Sequence, residues 1–364
     1  AGDTMLTVKN TEGNATDLQG VIFGAAAIQG VNLKKDDKVT LITNENGLTT
    51  DDTLNINTSV TVPENLVKDT TYDLEITKDG DNSIIATVKS VDGSGSGSSD
   101  SGSSDSGSSD SGSSGQGIET SSAETIKNSP NLKSIVETQM AALSVINSGS
   151  DLLAGQGFAQ AEAAAAADGG VAGKGLMPFA ALGGSSIRAE SGSHVDTKGY
   201  GINVGFAREV KNGNGKFLFG PLVEYGRGSY DSYNDNGVNG SGVSSFWGVG
   251  IMGRQTNDNG VYYEGSIRAG RVSSDYDGNL SGGRHADYDT SSGYWAAHLG
   301  LGRVYKISEK NSLDGYVKVF FNHQDGSNVT VHTNTAAGNE EMSFDSVDSQ
   351  RWRFGARLRS EERR

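Results

Sequence analysis

The chain has 364 residues, a net charge of −15 and no cysteine. The lack of cysteine excludes disulfides and thiolate metal sites, and the negative charge disfavours duplex nucleic acid as a partner. Glycine accounts for 52 residues, roughly twice its usual share of about 7%, and no run of eighteen apolar residues occurs, which excludes a hydrophobic helix that crosses a membrane.

The first segment, residues 1–91, predicts a small β-rich unit. Short runs with β propensity at 39–43, 54–62, 72–77 and 84–91 are separated by turn sequences such as Asn44-Glu45-Asn46-Gly47. The chain opens Ala-Gly-Asp-Thr without a basic and apolar leader, so we interpret its N-terminus as a processed or clipped end.

Residues 92–128 predict a flexible linker. The tract repeats Asp-Ser-Gly-Ser-Ser, with Asp100, Asp105 and Asp110 in register. Such a polar, glycine-rich tract buries too little apolar surface to fold, so it predicts a tether between two ordered parts.

Residues 129–170 predict a helix. Ser129 is a candidate N-cap and Pro130 suits the first helical position. Apolar side chains recur at helical spacing at Leu132, Ile135, Val136, Leu143 and Ile146. A weaker continuation reaches the alanine tract at 163–167, and the pair Gly169-Gly170 is expected to end the helix.

Residues 171–364 predict a transmembrane antiparallel β-barrel. About eight alternating strands are joined by connections that switch between short and long. The short ones carry compact turn sequences at 211–216, 257–260 and 308–311, and the long, polar ones lie at 190–198, 227–242, 273–293 and 325–349. This regular sorting of connections is typical of outer-membrane barrels.

Residues two apart in each strand share a face, so the strands separate two surfaces. Apolar side chains such as Phe219, Val249 and Leu299 occupy one face and are expected to contact lipid. Side chains on the other face are expected to line a watery pore, and the candidates are Glu224, Arg254, Glu264, Arg268, His298, Lys318 and Arg353. A soluble sandwich is the alternative, and it is disfavoured because unpaired charges in a dry core are costly.

A tether, a helix and a barrel in this order resemble the classical monomeric autotransporters, the type V secretion proteins. The stretch from Ala141 to Gly155 resembles the pore helix of that family, and the runs Phe179 to Arg188 and Gly192 to Tyr200 resemble its first barrel hairpin. Residues 30–42 more loosely resemble the end of a β-helical passenger. The resemblance implies a twelve-stranded translocator with a helix in its pore and a passenger outside the cell.

The chain departs from this family pattern at its C-terminus. About eight strands end in Arg359-Ser360-Glu361-Glu362-Arg363-Arg364, without a terminal aromatic residue. An eight-stranded barrel is filled by its own side chains, so either the helix lies outside it or strands are missing. Because an unclosed sheet would leave unpaired edges in lipid, we expect a fragment that lacks about four C-terminal strands and most of its passenger.

Catalytic and cofactor signals are weak, and we expect neither enzyme activity nor a bound cofactor. The run from Gly248 to Gly253 matches the dinucleotide fingerprint, but it lies inside a predicted strand and no helix follows it. Some autotransporters cut their own pore helix at an asparagine, and the resemblance makes Asn147, before Ser148, the candidate for self-cleavage. The alternative, a polar residue that interrupts the helix beside Gly149, is favoured.

Two functions are compatible with these patterns. In the first, the barrel lies in the outer membrane of a Gram-negative-type bacterium and exports or displays its own N-terminal passenger. The resemblance then implies outer-membrane lipid, the barrel assembly machinery and periplasmic chaperones as partners, whereas the passenger's ligand is not readable from the sequence. In the alternative, a porin-like or adhesin-like barrel keeps the N-terminal segment in the periplasm.

Overall fold

The structure, a computed structural model, describes residues 6–8, 15–21, 23, 33–50, 54–95, 129–190, 194–234, 237–308 and 311–360. The chain divides into two compact units. Unit 1 comprises Ala1–Leu132, Gly282–His285 and Thr333–Glu340, and unit 2 comprises Lys133–Ser281, Ala286–His332 and Glu341–Arg364. From residue 96 onward, the linker expected at 92–128 lies outside the described residues.

Unit 1 contains the β-rich segment that the N-terminal sequence predicts. Its strands are β1 (Leu6–Val8), β2 (Thr16–Asp17), β3 (Lys38–Asn44), β4 (Leu48–Thr49), β5 (Asn55–Pro63), β6 (Lys68–Asp79) and β7 (Ser83–Gly95). Five of them form one sheet in the order β1-β3-β7-β6-β5, and β2 pairs with β4. Alternate side chains such as Ile76, Ile84 and Val88 are fully buried in its core, so this segment folds around its own apolar face.

A long helical segment begins where the sequence predicts it. Helix α1 (Pro130–Leu152) continues through a π-helical turn (Leu153–Gly157) into α2 (Phe158–Ala167). Gly169 then adopts the left-handed conformation with φ 90°, which confirms the expected stop.

Two details of the helix prediction are wrong. The Ser129 hydroxyl has no hydrogen-bond partner among the described residues, so this side chain does not cap the helix. Val136 is 41% exposed, whereas residues 141–146 are all buried. The helix is therefore enclosed on several sides along its middle, and a single apolar stripe does not describe it.

The main sheet of unit 2 is antiparallel and contains eight long strands. They are β8 (Met177–Glu190), β9 (His194–Asn212), β10 (Gly215–Tyr233), β11 (Asn239–Asn257), β12 (Val261–Asn279), β13 (His285–Lys306), β14 (Asn311–Gln324) and β17 (Val347–Ser360). Each pairs with the next in this order, which confirms the predicted strand count. Among the described residues, β8 and β17 each pair with one neighbour only.

The strand ends of this sheet lie at two edges. Tight turns join β9 to β10 and β11 to β12 at what we call the turn end, where β13 also ends and β14 begins, and Gly260 supplies a positive φ of 84° there. We call the opposite edge, where β10 ends and β11 begins, the loop end.

Much of the sequence predicted to form long loops is β-strand in the structure, so that part of the prediction is wrong. Strands β9 to β12 each have 19 residues and continue into the segments expected to be loops. The connection at 325–349 holds a further hairpin, β15 (Ser327–Thr333) and β16 (Asn339–Phe344), in which β15 pairs with β13. Glycine and serine lower β propensity in these segments, but cross-strand pairs such as Ser244 with Ser274, at 2.8 Å, stabilise them.

The two faces of the sheet differ as the alternation predicts. On β11, Trp247, Val249 and Ile251 are 58%, 55% and 64% exposed, whereas Phe246 and Met252 are buried. On β10, the apolar outward residues run from 217 to 225, nine positions, which matches the 9–11 residues that a strand needs to cross a bilayer. The apolar band therefore lies toward the turn end.

Glycines on the inner face make room for aromatic rings. A Cβ atom added at Gly226 would overlap the ring of Phe246, and one added at Gly248 would overlap the hydroxyl of Tyr294. The high glycine content thus has a packing role, because bulky rings from one strand occupy the space above the backbone of its neighbour. The run from Gly248 to Gly253 lies within β11, as predicted.

Candidate functional site

The helical segment packs against the inner face of the sheet within unit 2. Apolar contacts join Val145 and Ile146 of α1 to Phe246 and Tyr294, and Leu153 and Phe158 pack with residues of β8 to β11. The helix therefore lies on the inner face, as a pore helix does, and the alternative placement outside the strands is wrong. The candidate functional site is this inner face together with the helical segment that it holds.

Tyrosine hydroxyls fix the direction of the helix. They come from the loop-end halves of β10, β12 and β13 and bind the N-terminal part of α1. Ser134 Oγ and Tyr276 Oη are 2.7 Å apart, Thr138 Oγ1 and Tyr230 Oη are 2.9 Å apart, and the Tyr288 hydroxyl donates to the Ile135 carbonyl at 2.5 Å. At the turn-end half of the sheet, Arg254 pairs instead with Glu162 of α2 at 3.0 Å. The chain thus runs along the inner face from the loop end to the turn end.

The first ion cluster lies midway along the helix. Arg268 donates to Glu224 with Nη1 and Oε2 2.6 Å apart, and both side chains are fully buried. The Tyr294 hydroxyl donates to the other carboxylate oxygen at 2.7 Å. Arg268 Nη2 also donates to Ser150 Oγ of α1, which in turn lies 3.1 Å from Asn322 Oδ1. This cluster joins the sheet to the helix through charge-assisted hydrogen bonds.

The second ion cluster lies closer to the turn end. Lys318 pairs with Glu264, and its Nζ donates to the carbonyl of Ala154 at 2.5 Å, inside the π-helical turn. Arg254 Nη1 lies 3.8 Å from Glu264, and His298 Nδ1 lies 2.6 Å from Ser266 Oγ. A carboxylate and two cations are thus gathered where the helix changes its hydrogen-bonding pattern.

A third group of polar contacts surrounds Asp151 of α1. Arg351 binds both carboxylate oxygens of Asp151 at 3.1 Å, and Arg353 approaches the same carboxylate at 2.5 Å. Arg351 also donates to the carbonyl of Asn147 at 3.2 Å, and Asn322 donates to the Asn147 side-chain oxygen at 2.5 Å.

The sequence-predicted pore residues fall into these groups. Glu224 and Arg268 form the first cluster, and Arg353 contacts Asp151. The others form the second cluster: Arg254, Glu264, His298 and Lys318. Ser150, Asp151, Asn322 and the tyrosines were missed. Asp151 could have been found as an acidic residue within the predicted helix, whereas no local signal distinguishes the tyrosines.

Asn147 does not interrupt the helix. Helix α1 continues through Asn147 and Gly149 to Leu152, so the favoured alternative for this residue is wrong as to helix geometry. Self-cleavage at Asn147 stays an untested hypothesis. The carbonyl that the side-chain amide would attack is held in helical geometry, which opposes closure of the five-membered ring, while Arg351 polarises the same carbonyl.

We expect the helical geometry at Asn147 to dominate, so that the folded chain stays intact there. Intact-mass measurement after folding checks this, with the variant Asn147→Ala as the uncut reference. A fragment that begins at Ser148, present in the parent and absent in the variant, would contradict the expectation.

Comparison with known families identifies the β-domain. The model of the autotransporter β-domain matches residues 179–361, slightly more than half of the chain. The chain belongs to the autotransporter family. Its eight long strands, its inner helix and its outward apolar band are those of an outer-membrane translocator domain, which is a transport domain and not a catalytic one.

No curated protein and no solved structure matches this autotransporter. Among its described residues, no helix is long and apolar enough to cross a membrane. Family membership implies insertion into the outer membrane with help from the barrel assembly machinery.

Proposed function

We propose that this autotransporter exports its own N-terminal segment, residues 1–91, and displays it on the cell surface. One observation carries the proposal, namely the direction of the helix. In outer-membrane barrels the short turns face the periplasm and the longer connections face outward. Helix α1 begins beside the tyrosines at the loop end, so the chain that precedes it would emerge outside the cell.

The inner-face residues support this proposal through their contacts with the helix. We assign a pore-lining role to the seven candidates, which are Glu224, Arg254, Glu264, Arg268, His298, Lys318 and Arg353. Four of them reach the helical segment directly, since Arg268 contacts Ser150, Lys318 contacts Ala154, Arg254 contacts Glu162 and Arg353 contacts Asp151. In this role they would hold the helix in the pore and help to close the pore after export.

The proposal needs no nucleotide, because folding of the exported segment outside the cell can supply a driving force. Residues 55–95 form three consecutive antiparallel strands with their own apolar core, so they release folding free energy without the barrel. Periplasmic chaperones are proposed partners before insertion. We also propose that the domain boundaries lie after residues 91, 128 and 170, which separate the exported segment, the linker, the pore helix and the barrel.

Protease shaving of intact cells that express the full gene tests the proposed topology. An epitope inserted after Gly80, in the β6–β7 turn, is expected to be lost when protease is added outside. A matched epitope after Asp258, in the β11–β12 turn, is expected to survive until the outer membrane is opened. Protection of the first epitope in intact cells would favour the porin-like alternative with a periplasmic N-terminal segment.

A further inference from the structure

The outward face of the sheet carries an ordered series of polar rows just beyond the apolar band, toward the loop end. Tyr225 pairs in register with Trp247, and Trp247 pairs with Arg271. In the next outward row, Arg227 pairs with Ser245, which in turn pairs with Ser273. Aromatic rings thus mark the edge of the band, and two arginines lie at this edge.

Both arginines, Arg227 and Arg271, are exposed, and neither makes an ion pair among the described residues. Another outward arginine of this region, Arg188, is paired with Asp196 at 2.7 Å. Two unpaired guanidinium groups at the edge of an apolar band are suited to anionic lipid headgroups, because the fork of donors on arginine matches phosphate oxygens.

A cleft that Arg227 helps to line has the chemistry of a saccharide-binding site. It has a volume of about 340 Å³ and is lined by Arg227, Ser245, Ser273, Asp275, Asp289 and Ser291. The hydroxyl oxygens of Ser273 on β12 and Ser291 on the neighbouring β13 lie 3.0 Å apart. Serine hydroxyls and carboxylates bind sugar hydroxyls, while the two carboxylates repel phosphate and confine it to the arginine side of the cleft.

We propose that this surface binds the phosphorylated saccharide headgroup of a glycolipid in the outer leaflet. Phosphate lies against Arg227 and Arg271, and the sugar lies in the serine-lined cleft. The assignment to the outer leaflet rests on the proposed topology, in which the loop end faces outward. The turn end differs, because its outward Arg303 already stacks on Tyr305, with Cζ 4.7 Å from the ring centroid.

Native mass spectrometry of the folded chain in detergent, titrated with lipid A, a diphosphorylated disaccharide lipid, tests the proposal. Arg227→Gln combined with Arg271→Gln is expected to weaken binding about tenfold, because two cations near an anionic headgroup are removed. Arg303→Gln, the matched control at the turn end, is expected to bind as the parent does. The parent is expected to bind the dephosphorylated lipid about tenfold more weakly.

Two outcomes would overturn the proposal. One is unchanged lipid A binding by the double variant, and the other is an equal loss in Arg303→Gln, which would mean unspecific attraction to any outward arginine. Heat-dependent gel mobility verifies that each variant is folded. Binding is measured on the isolated chain, so the result does not depend on whether residues 1–91 reach the cell surface.

Discussion

Replacing Arg268 with methionine is expected to destabilise the folded β-domain by about 3–5 kcal/mol, the usual cost of leaving one member of a buried ion pair without its partner. Both side chains of the Arg268–Glu224 pair are fully buried, so no water would reach the remaining carboxylate. The same substitution removes the bond to Ser150, so the helix also loses one of its hydrogen bonds to the sheet at mid-length. Unfolding in urea, followed by tryptophan fluorescence in detergent, measures the change.

Two further variants show whether the loss of stability in Arg268→Met arises from the unpaired, buried charge of Glu224. Combining Arg268→Met with Glu224→Gln should recover most of the stability, because a neutral amide keeps the hydrogen bond from Tyr294 without a buried charge. Arg188→Met breaks an exposed pair with Asp196 and should cost little stability, because water and salt screen such a pair. A loss in Arg268→Met no greater than in Arg188→Met would refute the assigned role.

The sequence predicts the faces of the sheet but not their partners. Alternation places Lys318 and Glu264 on one face, and both are buried there. That Lys318 also reaches the carbonyl of Ala154 depends on how far the helix is inserted along the sheet. This offset is set by tertiary packing over the whole inner face, and no local pattern encodes it.

Strand length was underestimated for a related reason. Segments rich in glycine, serine and aspartate read as loops because their intrinsic β propensity is low. In the fold, Ser273 pairs with Ser291 and Tyr276 stacks on Tyr288 with ring centroids 5.2 Å apart. Such cross-strand contacts form only once neighbouring strands are aligned, so residue-by-residue propensity misses them.

Replacing Gly149 with alanine is expected to loosen the helix from the inner face and to destabilise the β-domain by about 1–3 kcal/mol, as overpacking does. The added Cβ would lie 2.5 Å from Cζ of Phe246 and 3.4 Å from Oε2 of Glu224. Ring and helix cannot both keep their places, and any shift of Glu224 strains its pair with Arg268. The effect should therefore be less than additive with Arg268→Met, because both changes disturb one cluster.

The same helical segment supplies the control, since a Cβ at Gly155 would meet no atom within 4 Å. Gly155→Ala should be neutral or stabilise the fold by up to about 1 kcal/mol, because alanine reduces the freedom of the unfolded chain. Replacing the opposing ring with a smaller side chain, by Phe246→Leu, should restore part of the stability that Gly149→Ala loses. It should bring no such gain to Gly155→Ala. Thermal unfolding midpoints in detergent are measured for the two alanine variants, each with and without Phe246→Leu. Equal shifts of the unfolding midpoint for the two alanine variants would mean that helix propensity, and not contact with the inner face, determines the stability of this segment. The helix would then not be tightly held in the pore, as the proposed export route requires.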